Sequence, residues 1–248
     1  MKFLDLFSDQ AGDYARFRPR YPRALFQHLS EACAACDLVW DCATGNGQAA
    51  VALAPFFRKV IATDPSEQQL AQAERHAKVE YARATAEESG LPAHATDLIT
   101  VAQAFHWFDQ PRFFREVGRV SKSGGLLAVW CYGTCTISPE IDEVVNELYD
   151  GILGPYWDHG RRLVEQGYAN EKFPFPEIEA PRASMGLSWT MPDLIGYIGT
   201  WSSLVKYRKA HGDDPRHLII PKLQRAWGDL NAAKTVTWPL AVRLFRVE

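Results

Sequence analysis

The stretch Leu38-Val39-Trp40-Asp41-Cys42-Ala43-Thr44-Gly45-Asn46-Gly47 decides the fold. Its first five residues form a short apolar run, the pattern of a strand covered on both faces. The next five carry glycines at 45 and 47 and lead into a helical pattern over 48–57. Glycine lets the backbone turn tightly and approach a ligand that a Cβ would hold off. Strand, glycine turn and helix in that order open a parallel sheet wrapped by helices.

Outward from that unit the alternation continues. Strands are expected at 38–42, 59–63, 79–83, 98–102 and 125–132, with helices at 22–36, 48–57, 67–78, 86–89 and 112–120. Ser123-Gly124-Gly125 reads as the turn into the fifth strand. After Gly133 the rhythm changes. Ser138-Pro139-Glu140 opens a helix to about 151, an amphipathic stretch covers 156–166, and the proline-rich segment 173–181 reads as an extended connection. A strand at 182–189, helices at 191–201 and 215–229, and a long last strand at 235–247 complete the pattern. Pro239 inside that last strand calls for an edge position or a bulge. The expected organisation is one α/β domain over 1–248. It comprises an N-terminal lid and first helix (1–37), a cofactor-binding core (38–132), a mostly helical cap on the substrate side (133–235) and a final strand (236–248).

The bulk properties narrow the function classes. The net charge of −3, with 27 basic residues dispersed among 30 acidic ones, gives little attraction for a nucleic-acid backbone. No apolar run approaches the length of a bilayer-spanning helix, so neither membrane nor nucleic acid is an expected partner. Asp5 interrupts the apolar start of MKFLDLFSDQ, so no export signal is expected and a cytoplasmic address follows. The odd cysteine count, five, fits free thiols in a reducing compartment. Cys33-x-x-Cys36 and Cys131-x-x-x-Cys135 offer zinc-ligand types. The first pair falls on a predicted helix and the second straddles a strand end, so no metal is expected. The sequence sets no oligomeric state.

Asp64 ends the second strand 17 residues beyond Gly47, where an acid can accept two hydrogen bonds from a ribose diol. Gly45-x-Gly47-x-x-Ala50 also satisfies the relaxed dinucleotide pattern, which makes an NAD(P)-dependent oxidoreductase the rival reading. Asp41 stands against it: a carboxylate in front of the loop repels a pyrophosphate and attracts an ammonium or sulfonium. A cofactor-binding module without turnover is the other alternative. Nicotinamide-cofactor binding separates the first rival, and absence of turnover the second.

Residues 41–47 resemble motif I of the class I S-adenosylmethionine-dependent methyltransferases, with Ala43 and Thr44 replacing its usual first glycine and the next residue. Asp64-Pro65-Ser66 resembles the motif II acid and its turn, and Ala84-Thr85-Ala86-Glu87-x-x-Gly90-Leu91-Pro92 resembles the loop after strand three. Residues 97–108, ending in Gln103-Ala104-Phe105-His106-Trp107-Phe108, resemble strand four and the segment after it, and residues 120–125 the turn into strand five. Tyr14-x-x-x-Arg18-Pro19-x-Tyr21-Pro22, with His106-Trp107 and Trp238-Pro239, is similar to the trans-aconitate-methyltransferase-like branch.

This resemblance implies a Rossmann-like, seven-stranded, mostly parallel sheet with an antiparallel last strand, helices on both faces and a helical cap insertion. It implies S-adenosylmethionine as cofactor and methyl transfer to a small molecule, a carboxylate among the candidate acceptors. It assigns Asp41, Gly45 and Gly47 to the methionine end of the cofactor, Asp64 to the ribose, and Ala86 with Glu87 to the adenine. Thr44, Pro65 and Ser66 belong to the same cofactor set, with Gln69 at the pocket's edge. Gln103 stands at the carboxyl end of strand four, where open α/β sheets contact ligands. Tyr14 and Arg18 are placed over the pocket, Arg18 pairing with a carboxylate of cofactor or substrate. Tyr21, His106, Trp107, Tyr132 and Trp201 are assigned to the substrate side, with Trp130, Tyr156 and Trp157 as further aromatic candidates. His106 offers either a base or a wall of the pocket floor.

Overall fold

The computed structural model describes residues 18–158 and 160–248, so the expectation for Tyr14 lies outside the described residues. In chain order the elements are α1 (Arg23–Ala32), β1 (Leu38–Cys42), α2 (Gln48–Leu53), β2 (Lys59–Asp64), α3 (Glu67–Ala71), β3 (Val79–Arg83) and β4 (Thr96–Ala102). Next come α4 (Gln110–Val120), β5 (Ser121–Cys131), α5 (Pro139–Asn146), α6 (Arg161–Glu165), β6 (Glu177–Ile178) and β7 (Ala183–Trp189). The chain ends with α7 (Met191–Gly199), α8 (Ser202–His211), α9 (Arg216–Trp227) and β8 (Lys234–Arg246).

The strands lie in the order β3-β2-β1-β4-β5-β8-β6, with β7 pairing on β8. The first five are parallel and β8 runs antiparallel to β5. This is the Rossmann-like, mostly parallel sheet with a reversed last strand that the resemblance implies, with eight strands where it implies seven. The reason is visible in β1: Val39, Trp40 and Cys42 are fully buried, because one hydrophobic layer covers each face of the sheet. Phe26, Leu53, Val39, Trp130 and Trp238 belong to one layer, and Trp40, Phe105, Phe113, Val117 and Phe245 to the other. The Asp97 carboxylate secures the entry to β1 by accepting the Asp37 and Leu38 N–H groups at 2.9 Å each, and it also pairs with Lys122. The chain reverses its winding between β1 and β4, so their carboxyl ends open a crevice, the usual ligand position in such sheets.

Several elements are shorter than the pattern predicts. The first helix stops at Ala32 rather than 36, and Cys33 is extended, its thiol donating back to the Leu29 carbonyl. The helix expected over 48–57 ends at Leu53, two residues before Pro55. The helix expected over 67–78 ends at Ala71, because beyond it only Ala73 is buried and no apolar stripe remains to hold a helix down. Residues 86–89 form a turn closed by a Thr85–Glu88 bridge instead of a helix. The 156–166 stretch is a single turn of 3-10 helix, Gly154–Tyr156, followed by the short α6. The helix opened by Ser138 does run on to Ile152, its last turns widened to π geometry.

Two features depart in the other direction. β5 begins at Ser121, which pairs with Thr96 before Leu126 pairs with Leu98, so Ser123-Gly124-Gly125 is a bulge inside the strand and not a turn before it. α8 has no expected counterpart: only Ser203 and Leu204 of its ten residues are buried, too short an apolar stripe to read. Pro239 lies in the outer half of β8, where β7 is its strand partner, and Ala241 onward joins β5.

Candidate active site

The glycine turn after β1 carries three residues in the left-handed region: Ala43 at φ 54°, Gly45 at φ 56° and Gly47 at φ 81°. Glycine adopts this freely, whereas alanine does so at a cost. Gly47 is also required sterically, since a Cβ there would lie 2.1 Å from the Tyr81 hydroxyl oxygen. That hydroxyl donates to the Glu74 carbonyl at 2.6 Å, and the Glu74 N–H donates to the Asn46 carbonyl at 3.0 Å, so β3 and the segment after α3 brace the turn.

Two carboxylates organise this end of the sheet. Asp41, at the end of β1, is 1% exposed and accepts hydrogen bonds from the hydroxyls of Thr44 (2.5 Å) and Thr100 (2.7 Å). Burial pushes its carboxyl up to about 6, against the lowering effect of those bonds and with Asp64 adding to the rise. Asp64, at the end of β2, accepts the Gly45 N–H and the Ser66 N–H, both at 2.9 Å. Ser66 caps α3 by accepting the Gln69 N–H, and the Gln69 side-chain oxygen would stand 3.9 Å from a Cβ on Gly45. Thr44, Gly45, Gly47, Asp64, Ser66 and Gln69 therefore meet around one turn, with Pro65 half-buried beside them. Farther along, Ala86 is buried in the α4-side layer, and one Glu87 oxygen accepts the Asp109 N–H at 3.0 Å.

Gln103 ends β4 in the left-handed region, at φ 57°. Its N–H donates to the Trp130 carbonyl and its side-chain amide to the Tyr132 carbonyl, both at 2.9 Å. The amide oxygen is buried with no hydrogen-bond partner. Held acceptors of this kind mark places where a ligand's donor completes the pairing.

Next to Gln103 lies a cavity of about 130 Å³, lined among others by Arg18, His106, Tyr132, Trp157, Arg161 and Trp201. Arg18 reaches the Tyr132 hydroxyl and the Thr200 carbonyl, both at 3.4 Å, and lies 5.4 Å from the Tyr197 ring centre. Its segment is tied to the glycine turn by the Gln48 side chain, which donates to the Pro19 carbonyl. Arg161 lies over the rings of Trp157 (4.8 Å) and Tyr149 (5.0 Å), and its Nε donates to the Tyr149 hydroxyl, which donates to Glu165 at 2.6 Å. Asp158, also at the cavity, is paired with Lys206. His106 Nδ1 meets the Tyr168 hydroxyl at 2.9 Å, and burial, then the charge of Arg161, push the imidazole down to about 4.

The structure divides the aromatic candidates. Tyr132, Trp157 and Trp201 line the cavity, and Trp107 lines it while 44% exposed. Tyr21 is absent from the lining and packs edge-on behind Tyr132 and Trp130. Trp130 is fully buried one step deeper on the same face of β5, under Phe26, and Tyr156 stands outside against Tyr207 and His211. Sequence reading missed Arg161, Tyr197 and Asp158. Arg161 read as the polar face of a longer amphipathic helix, and only its nearness to Trp157 hinted otherwise. Among the described residues, no three His, Cys, Asp or Glu side chains are placed to hold a metal ion.

Comparison with known proteins bears on the whole arrangement. The sequence pattern of a methyltransferase domain matches residues 40–129. A Dictyostelium discoideum protein whose name assigns it to the methyltransferases is 36% identical over 238 residues, 94% of this chain and 88% of that one. A solved structure from Anaeromyxobacter dehalogenans, carrying the name of a type II methyltransferase, superposes with TM-score 0.88 at 46% identity over 93% of this chain and 98% of that one. A Saccharomyces cerevisiae protein named as an S-adenosylmethionine-dependent methyltransferase is 28% identical over 181 residues, 66% of this chain and 60% of that one. With the matching sheet order, the glycine turn and the two strand-end acids, these similarities lead to one conclusion: the chain belongs to the class I S-adenosylmethionine-dependent methyltransferase superfamily.

Proposed function

We propose that this chain transfers a methyl group from S-adenosylmethionine to a carboxylate oxygen of a small organic acid, as in the trans-aconitate-methyltransferase-like branch that its N-terminal motif resembles. The observation that carries this reading is the cavity beside Gln103, where Arg18 and Arg161 from distant parts of the chain line one small space. Guanidinium groups supported by aromatic rings suit a carboxylate, which accepts two parallel hydrogen bonds from such a fork.

The donor set fits the cofactor. Among the described residues Asp41 is a buried carboxylate paired with hydroxyls and not with a cation, so a cationic ligand is its complementary partner. Asp41, Thr44, Gly45 and Gly47 would hold the methionine end, Asp64, Pro65 and Ser66 the ribose, and Ala86 with Glu87 the adenine. The Gln103 amide oxygen, buried without a hydrogen-bond partner, would accept a ligand donor. Bound there, S-adenosylmethionine supplies a methyl group on a cationic sulfur that keeps the C–S electron pair on leaving, so no acid is needed. The chain's residues orient and exclude. Arg18 and Arg161 align one carboxylate oxygen for in-line attack, while Tyr132, Trp157 and Trp201 keep water away. A carboxylate is already ionised near neutrality, so no residue has to take a proton from it.

Screening small carboxylic acids, phenols and amines with methyl-labelled cofactor tests this. A base-labile methyl ester is expected. Arg161→Met is expected to raise the acid's KM by about tenfold or more, the worth of one charge-assisted hydrogen bond, with little change in cofactor affinity. Transfer to amines or phenols alone would contradict the carboxylate assignment.

A further inference from the structure

His106, which lines the acceptor cavity, is held from behind by Tyr168 at a conformational cost. Tyr168 follows Gly167, and both lie in the left-handed region, at φ 59° each. A bulky aromatic residue rarely adopts this conformation, which is strained and persists only where the surroundings over-determine it. They do so at Tyr168. Its N–H donates to the Leu163 carbonyl at 2.9 Å, its carbonyl accepts from Arg243 at 2.7 Å, and its side chain is 1% exposed. The phenol lies nearly parallel to the His106 ring, and its hydroxyl oxygen sits 2.9 Å from His106 Nδ1. Gly160 also touches the imidazole so closely that a Cβ would lie 2.8 Å from His106 Cδ2. The ring is therefore clamped, with Nδ1 engaged and Nε2 without a hydrogen-bond partner among the described residues, in a side chain that lines the cavity.

The direction of the Nδ1 hydrogen bond decides what Nε2 offers. The Tyr168 hydroxyl has two acceptors in reach, His106 Nδ1 and the Cys131 sulfur. A ring nitrogen lone pair is a much stronger acceptor than a thiol sulfur. The hydroxyl therefore donates to Nδ1, and the imidazole proton resides on Nε2. We infer that Tyr168 is a positioning residue that fixes His106 as the Nε2–H tautomer, so that His106 presents a neutral N–H donor to the acceptor and not a base. The inference rests on the small-acid reading of the cavity. There the N–H and Arg161 are two donors of different charge for one oxygen-rich molecule. Imidazole pushed down to about 4 stays neutral in this role at physiological pH.

Nitrogen-15 NMR of the histidine side chains in the full, ligand-free chain reads the tautomer directly. The wild type is expected to carry its His106 proton on Nε2, and Tyr168→Phe to show a mixture of tautomers. In turnover assays with the best carboxylic acid, Tyr168→Phe should raise the acid's KM in proportion to the share of His106 that leaves the Nε2–H tautomer, about twofold for an even mixture, with kcat and S-adenosylhomocysteine affinity unchanged. His106→Gln, which keeps an N–H donor at similar reach, should retain most of the acid affinity that His106→Ala loses. A wild-type proton on Nδ1, or a tautomer unaffected by Tyr168→Phe, overturns the inference. So does an unchanged KM in His106→Ala. The NMR measurement needs no substrate, so failure of the small-acid reading shows separately, as an absence of ester product.

Discussion

At the scale of single residues, the buried Asp41 carboxyl is the most consequential group. Its pKa is raised to about 6 from an ordinary value of 3.8, so the fold favours the protonated form. Its contribution to the stability of the free protein is full below about pH 4 and is lost as pH rises through about 6. A cationic ligand needs the carboxylate, so binding and deprotonation are linked. Affinity for S-adenosylhomocysteine, which retains the ammonium, should fall as pH drops below 6, by up to about tenfold per unit. Thermal shifts induced by that ligand should be larger at pH 7 than at pH 5 in the wild type and nearly level with pH in Asp41→Asn. Ala43 is the second such residue. Its φ of 54° is one that alanine pays for and glycine does not. Ala43→Gly is therefore expected to stabilise the chain by about 1 kcal/mol in urea denaturation, a sign opposite to most glycine substitutions.

At the scale of elements, the strands of the core were legible and the helix ends were not. β1, β2 and the body of β4 follow from short apolar runs because both sheet faces are covered. Residues 72–78 kept a helical composition, yet only Ala73 finds a core to enter, and the Glu74 backbone is taken up by Asn46 and Tyr81. That contact is tertiary, so no local pattern announces it. It also explains the turn: Tyr81, tied to Glu74, occupies the space where a Cβ on Gly47 would stand. Gly47→Ala should accordingly cost about 1–3 kcal/mol in thermal or urea unfolding, from its φ of 81° and the clash together. Adding Tyr81→Phe should recover only part of that, because the ring carbons Cζ and Cε1 also stand within 3.1 Å. The Ser-Gly-Gly bulge was misread as a turn for a similar reason. Its pairing partner, Thr96, lies 25 residues away from Ser121 in sequence, and a local reading sees only the glycines.

At the scale of the whole molecule, the parallel sheet brings the ends of β1, β2 and β4 together, and with them the residues that a local motif singles out. The cavity beside Gln103 was far less legible. Its lining comes from the segment before α1, the ends of β4 and β5, α6, α7 and the start of α8, brought together by helical packing that leaves no periodic trace. Arg161 and Tyr168 were invisible for this reason, whereas Gln103, His106 and Tyr132 were readable because they follow directly from strand ends. The bend between β1 and α2, with Asp64 beside it, is the proposed seat of S-adenosylmethionine. Calorimetric titration of the wild type and of Asp64→Ala with S-adenosylhomocysteine tests it most directly. One saturable site is expected in the wild type, weakened by about tenfold or more in the variant, which loses a ribose acceptor and leaves the Gly45 and Ser66 N–H groups without their partner. No binding in the wild type, or equal affinity in both, would place the cofactor elsewhere or nowhere on this chain.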